Sequence, residues 1–356
     1  GKDDPKGTVR RERDRGKALA GKSTLNRLEL TTAAVAAGER YKKIALDGEA
    51  LDGLFVDVFL DAHDEAPDWI EIDLDATDDP LHGRQEGRFF HGYYRHYCYL
   101  PLYVFSGEHL LCARLRPSNI DGAAGSTDEL RRIVSQIRER WPATEILIRG
   151  DSGFCREDLL AYCEEAGLWY VLGLAKNSRL KSMVTDEMAA AQALCEASGK
   201  AARVFAELEY ATLKSWSCMR RVVAKCEHLP GDKSNPRFVV TNLPEEGFDA
   251  RHVYEEIYCV RGDMENRIKE QQLYLFADRT SAATMRANQI RLYLSSLAYV
   301  LVSALRRLGL AGTEMARAQC HTIRQKLLKI GAVVRVTVRK VWVSMSSACP
   351  YAAIFA

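Results

Sequence analysis

The chain has 356 residues, 47% hydrophobic and 28% charged, with a formal net charge of +2. That is long enough for one large domain or two ordinary ones, and the balance is that of a globular protein with a sizeable core. It excludes a low-complexity or fibrous chain. The absence of a run of about 18 apolar residues excludes a helical membrane span, and no basic-then-apolar start marks a secretory signal.

The first 45 residues are polar and basic, with the run Arg10-Arg11-Glu12-Arg13-Asp14-Arg15, and read as a linker followed by a helix over 27–45. Because the first residue is Gly1, an upstream DNA-binding domain is expected to precede this segment. Gly16-Lys-Ala-Leu-Ala-Gly21-Lys22-Ser23 has the letters of a phosphate-binding loop. Such a loop must follow a buried apolar strand, and residues 9–15 are almost all charged, so no nucleotide cofactor is expected. Lys17, Lys22 and Arg27 read instead as DNA-phosphate contacts or as the solvated start of a helix.

Trp69-Ile-Glu-Ile-Asp73-Leu-Asp75 alternates strictly and predicts a strand. Asp78-Asp79-Pro80 breaks it, and two further strands are expected over 88–98 and 101–113 in an antiparallel meander. Ser126 is expected to cap a helix over 127–141. A strand follows at 145–149, then a helix at 157–166 closed by Gly167, then a strand at 169–174. The region 203–241 reads as mostly β, with strands near 204–210, 215–224 and 238–240. A helix is expected at about 250–272, and the remainder reads as mainly helical.

The order βββαβαβ is mixed α/β and resembles the ribonuclease H (RNase H) fold. The domain reading is a core over 46–176 and 246–275, a β-rich insertion over 177–245 and a helical, basic region over 276–356. Charge is unevenly spread. Residues 47–79 are acidic, whereas beyond residue 300 Arg306, Arg307, Arg317, Arg324, Lys326, Lys329, Arg335, Arg339 and Lys340 face one acid, Glu314. An acidic centre beside a basic flank suits a metal site next to a polyanion. The ten cysteines show no CxxC pair and no zinc-ligand spacing, so reduced thiols filling apolar gaps are expected.

Asp75 lies at the end of the first predicted strand and Asp151 just past the end of the fourth. If those strands are parallel neighbours, both carboxylates project into one crevice, roughly 5 Å apart, and repel unless a cation lies between them. Asp73 shares the Asp75 face of the strand and is the reserve candidate. Farther on, Arg261, Glu265 and Lys269 recur at four-residue spacing on one helical face.

These residues carry a family resemblance. Tyr258-x2-Arg261-x3-Glu265, Asp75-Ala-Thr77, Arg149-Gly-Asp151-Ser-Gly-Phe154 and Thr322-Ile-Arg324-Gln-Lys326-Leu-Leu-Lys329 are together similar to bacterial insertion-sequence DDE transposases with the Tyr-Arg-Glu-Lys signature, most of all the thirteen-eighty group. The likeness runs from about residue 17 to 350. The signature Lys position is Gln272 here, and Lys269 on the same face is the candidate to replace it.

The resemblance implies Asp75, Asp151 and Glu265 as catalytic metal ligands, two Mg²⁺ or Mn²⁺ ions, strand nicking at transposon ends and transfer to target DNA, in some relatives through a hairpin. It also implies a homodimer on DNA and a cytoplasmic location. Tyr258, Arg261, Lys269 and Thr77 are the implied DNA contacts. Trp216, with Arg220 and Arg221, is a candidate for stacking on an unpaired base and holding the backbone. An inactive transposase-derived DNA-binding protein, or an RNase H-like nuclease without strand transfer, would keep the same fold.

Overall fold

The computed structural model describes residues 21–31, 45–231, 233–346 and 348–354. The basic run at 10–15, Lys17, most of the expected helix over 27–45 and the first half of the phosphate-loop lookalike lie outside the described residues. The chain divides into two compact units, one comprising 50–269 and the other 1–49 with 270–356.

In the unit spanning 50–269, the sequence builds one large mixed sheet. Strand β1 (Trp69–Ala76) alternates so that Ile70, Ile72 and Leu74 point to one face and Glu71, Asp73 and Asp75 to the other. Ile72 and Leu74 are at most 1% exposed. Burial of each such side chain stabilises by about 1.5–3 kcal/mol, which fixes the register, because a one-residue slip would put the carboxylates in the core.

The chain then departs from the expected meander. A separate three-stranded sheet forms from β2 (Asp79–Pro80), β3 (Phe89–His91) and β4 (His96–Tyr99). The predicted strand at 101–113 is instead the hairpin β5 (Leu102–Ser106) and β6 (His109–Arg114), turned at Gly107, whose φ is +54°. The antiparallel neighbour of β1 is thus β5.

Strands β7 (Glu145–Gly150) and β8 (Trp169–Leu174) run parallel to β1, in the order β6-β5-β1-β7-β8. Helices α2 (Gly48–Leu60), α3 (Ser126–Arg140) and α4 (Glu157–Glu165) pack Phe59, Leu130, Ile133, Ile137 and Leu159 against the Ile70–Leu74 face. Ser126 does not cap α3. Its hydroxyl donates to the Ala123 carbonyl, and Gly125 holds the N-cap position at φ +73°. Gly167, at φ +64°, closes α4 as expected, with the Leu168 amide returning to the Cys163 carbonyl.

Two helices absent from the sequence reading follow, α5 (Ser178–Met183) and α6 (Thr185–Ser198). Next come β9 (Ala202–Tyr210), β10 (Arg220–Leu229), β11 (Lys233–Ser234) and β12 (Arg237–Thr241). β12 pairs antiparallel with β8, so these strands extend the central sheet and cover what would otherwise be an open edge.

The opposite face of the sheet is covered by a helical stretch. It runs from α7 (Ala250–His252) through a π-turn (Val253–Tyr258) and a 3-10 turn (Cys259–Arg261) into α8 (Gly262–Lys269). Val253, Tyr254 and Ile257 pack on Leu147, Val171, Val223 and Val239. This is the face that carries the β1 carboxylates.

The other unit contains α1 (Lys22–Leu30), a π-turn (Glu270–Tyr274), α9 (Met285–Ala304) and α10 (Cys320–Ile323). Its C-terminal stretch is less helical than expected, because β13 (Ala332–Val336) and β14 (Val341–Met345) form a fully exposed hairpin. Within the unit, buried Arg306 donates to Glu270 at 2.7 Å. Among the described residues the cysteines are all unpaired, and no helix is long and apolar enough to cross a membrane.

Candidate active site

The last registered pair between β1 and β7 is Leu74 with Gly150, and Asp75 and Asp151 each stand one residue farther along. Parallel neighbours are about 4.8 Å apart, so the two carboxylates are brought side by side at the ends of adjacent strands. Asp75 Oδ1 accepts from the Ala76 amide and Asp151 Oδ1 from the Gly153 amide, both at 2.8 Å.

Burial, followed by the charge of Asp151, pushes the Asp75 carboxyl up from 3.8 to about 6, with a further raising contribution from Glu265 and a lowering one from Arg261. Glu265 on α8 and Arg261 before it therefore lie within electrostatic reach of the pair. Burial opposes the Arg261 charge, but the Tyr258 hydroxyl, Asp75 and Asp151 outweigh it and hold the guanidinium pKa above its ordinary value. Arg261 lies 5.3 Å from the Tyr258 ring centre.

Tyr258 reaches the site through a gap in β8. A methyl group at Gly173 would stand 2.6 Å from the Tyr258 hydroxyl, 2.8 Å from the Ser152 amide and 3.1 Å from the Asp151 carbonyl carbon. Only a residue without Cβ lets the hydroxyl and the Asp151 loop meet there.

Asp73 has a different part. Arg149 grips it with two bonds of 2.6 and 2.8 Å, also contacts Glu71 at 2.9 Å, and donates to the Ile257 carbonyl at 3.1 Å. Both Asp73 and Arg149 are buried. With its carboxylate consumed by a two-pronged ion pair, Asp73 is not a free ligand, and Asp75 is the better candidate on this face.

Glu265 is half exposed and lies 3.9 Å from Lys269. Among the described residues no group of three His, Cys, Asp or Glu side chains is gathered tightly enough to hold a metal ion. The donor chemistry nevertheless fits a hard divalent cation. Two adjacent carboxylates, one of them raised by burial and by its neighbour, present oxygen ligands whose repulsion a cation would relieve.

The remaining sequence candidates are distributed differently. Thr77 follows the strand, its amide bonded to the Pro101 carbonyl at 3.4 Å. Trp216 is 9% exposed and packs edge-on against Tyr210 at 5.8 Å. Arg220 is buried between Glu157 and Glu164, and Arg221 is held by Glu207 at 2.6 Å and by the Leu243 and Phe248 carbonyls. Without DNA, the aromatic face of Trp216 lies against the core and both arginines are engaged in ion pairs.

Sequence reasoning missed Tyr94. It reaches back from the β3–β4 turn to the Ala76 carbonyl at 3.4 Å, and burial, Asp78, Asp75 and Asp151 raise its pKa. The only signal was the aromatic density of 89–99, which reads equally well as core.

A mixed sheet with carboxylates at adjacent parallel strand ends, faced by a helix bearing an acid and an arginine, defines a mixed α/β protein with a clustered acidic site. The family model described as "Transposase DDE domain group 1" matches residues 2–356, so the chain belongs to that family. Among solved structures, the chain is similar to a piggyBac transposase in a synaptic complex with hairpin DNA, at 10% identity and a TM-score of 0.43, covering 73% of this chain and 52% of that one. The chain therefore spans about half the length of that relative. No curated protein matches it.

Proposed function

We propose that this chain is the catalytic core of an insertion-sequence DDE transposase of the Tyr-Arg-Glu-Lys type, acting on DNA with divalent metal. The observation that carries the reading is the register that sets Asp75 beside Asp151, with Tyr258, Arg261 and Glu265 on the helical stretch packed over the same sheet face. The order β6-β5-β1-β7-β8, with β5 alone antiparallel to β1 among its core neighbours, supports an RNase H-like core.

Asp75, Asp151 and Glu265 would hold the metal, Mg²⁺ or Mn²⁺. When bound it would supply charge stabilisation for the attacking and leaving oxygens of an in-line displacement at phosphorus. Arg261 offers a charged fork to a phosphate oxygen, and Tyr258, already its hydrogen-bond acceptor, can donate its own proton to a second. Glu265 is half exposed and acts on Asp75 through its charge. Lys269, 60% exposed, is free to exchange Glu265 for a phosphate. Gln272, at the signature Lys position, lies in the Glu270–Tyr274 turn.

The test is cleavage of a duplex carrying the element's own end, with Mg²⁺ or Mn²⁺. Asp75→Asn, Asp151→Asn and Glu265→Gln are each expected to abolish nicking while retaining DNA affinity within a few-fold. Full nicking by any one of them removes that residue from the site. Binding without nicking by the unsubstituted chain indicates an inactive descendant, and nicking without joining indicates a nuclease.

A further inference from the structure

A cavity of about 410 Å³ opens next to the Asp151 turn, lined by Ser152, Gly173, Lys176, Arg237, Tyr254 and Tyr258. No acidic side chain lines it. Lys225 at its floor is already matched, because its ammonium lies 2.7 Å from Glu227. Glu227 in turn takes hydrogen bonds from Arg203 and Asn235. The uncommitted charge therefore belongs to Lys176, just past β8, and Arg237, at the start of β12. Both are exposed, and neither has an ion-pair partner among the described residues.

We infer that this cavity is the seat of a single DNA strand flanking the scissile phosphate, with Lys176 and Arg237 taking consecutive backbone phosphates and the half-buried Tyr258 contacting a sugar or base. The inference rests on the reading that Asp75 and Asp151 mark the reacting phosphate. Size supports a strand over a duplex, because the volume lies at the lower end of the about 300–1,000 Å³ typical of small-molecule sites. One nucleotide fits such a space, and a duplex does not. Lining chemistry supports nucleic acid over an apolar ligand, since cations follow a backbone and aromatic walls accept any base. Continuity supports the direction, since Ser152 and the Tyr258 hydroxyl belong both to the cavity and to the surroundings of Asp151.

The experiment is fluorescence anisotropy on the full chain, using a labelled oligonucleotide of about 12 nucleotides, within the usual span for single-strand sites, and the duplex of the same sequence. Lys176→Ala/Arg237→Ala is compared with Lys200→Ala/Lys214→Ala, an equally exposed pair outside the cavity. The cavity variant is expected to lose about tenfold in single-strand affinity, with the slope against log salt falling by about 1.4 for two phosphates. Duplex binding by the cavity variant, and both measurements on the control variant, should change less than threefold. Lys176→Arg/Arg237→Lys should bind like the unsubstituted chain.

Equal losses in the cavity and control variants, or equal losses on duplex and single strand, overturn the inference. Cleavage by Asp75→Asn separates the two readings. If that variant still cleaves while the cavity variant loses single strands, the catalytic assignment falls and the cavity stands. If it is inactive while the cavity variant binds normally, the reverse holds.

Discussion

Asp75 is pulled two ways: its neighbours Ala76 and Arg261 favour the carboxylate, while burial and the charge of Asp151 disfavour it and prevail. An acid whose folded pKa lies above its unfolded one favours folding when protonated. The contribution of Asp75 is therefore full below its ordinary value of 3.8 and is lost as pH rises through about 6. The gap between 3.8 and about 6 caps it at about 3 kcal/mol, less whatever screening partial exposure allows. Metal-free protein should accordingly lose stability between pH 5 and pH 7.5 in urea or thermal melts, at about 1.4 kcal/mol per pKa step. Asp75→Asn should flatten that fall, and Mg²⁺ should raise the melting temperature more at pH 7.5 than at pH 5. Parallel pH profiles for the two proteins would dismiss the strained carboxylate.

At the scale of elements, Arg149 ties three of them together. From β7 it holds Asp73 and Glu71 on β1 and the Ile257 carbonyl in the π-turn before α8. Mixed π and 3-10 turns interrupt the regular helical ladder in that stretch, and such interruptions gather at functional sites. Removing one partner of a buried ion pair costs about 3–5 kcal/mol, because the other charge stays buried, whereas replacing both with apolar groups is often nearly neutral. Arg149→Leu should therefore shift the denaturant midpoint far more than Arg149→Leu/Asp73→Leu, and equal shifts would show that the pair is not coupled.

Strand β1 was readable from its alternation, and with it the carboxylate face. The choice between Asp73 and Asp75 was not, since strand alternation places them alike and only the Arg149 guanidinium across the sheet separates them. Trp216 was ambiguous for a related reason. An aromatic beside two arginines reads equally well as a DNA surface or as a core residue flanked by ion pairs, and the acids that pair with those arginines, Glu157, Glu164 and Glu207, are remote in sequence.

Across the whole molecule, the two compact units have separate buried anchors. In the unit containing α9, Glu270 accepts from Arg306 at 2.7 Å and from the Cys320 amide at 2.9 Å, and both charged residues are at most 5% exposed. Arg306→Met leaves Glu270 buried without its cation, again a loss of about 3–5 kcal/mol. Hydrogen exchange should then show lost protection in α9 and unchanged protection in β1 and β7. Uniform loss in both would mean that the units unfold together.

The sequence by itself determined the alternating strands, the helix closed at Gly167, the family-like spacing of Tyr258, Arg261 and Glu265, and the acidic residues at strand ends. Each is a local matter of side-chain period, backbone freedom or spacing along one helix. The tertiary structure alone decided which strands are neighbours, that β12 continues the sheet at β8, that Arg149 consumes Asp73, and that a cationic cavity opens next to Asp151. Those outcomes depend on contacts between residues tens to more than a hundred positions apart, where packing and charge pairing select among locally equivalent arrangements.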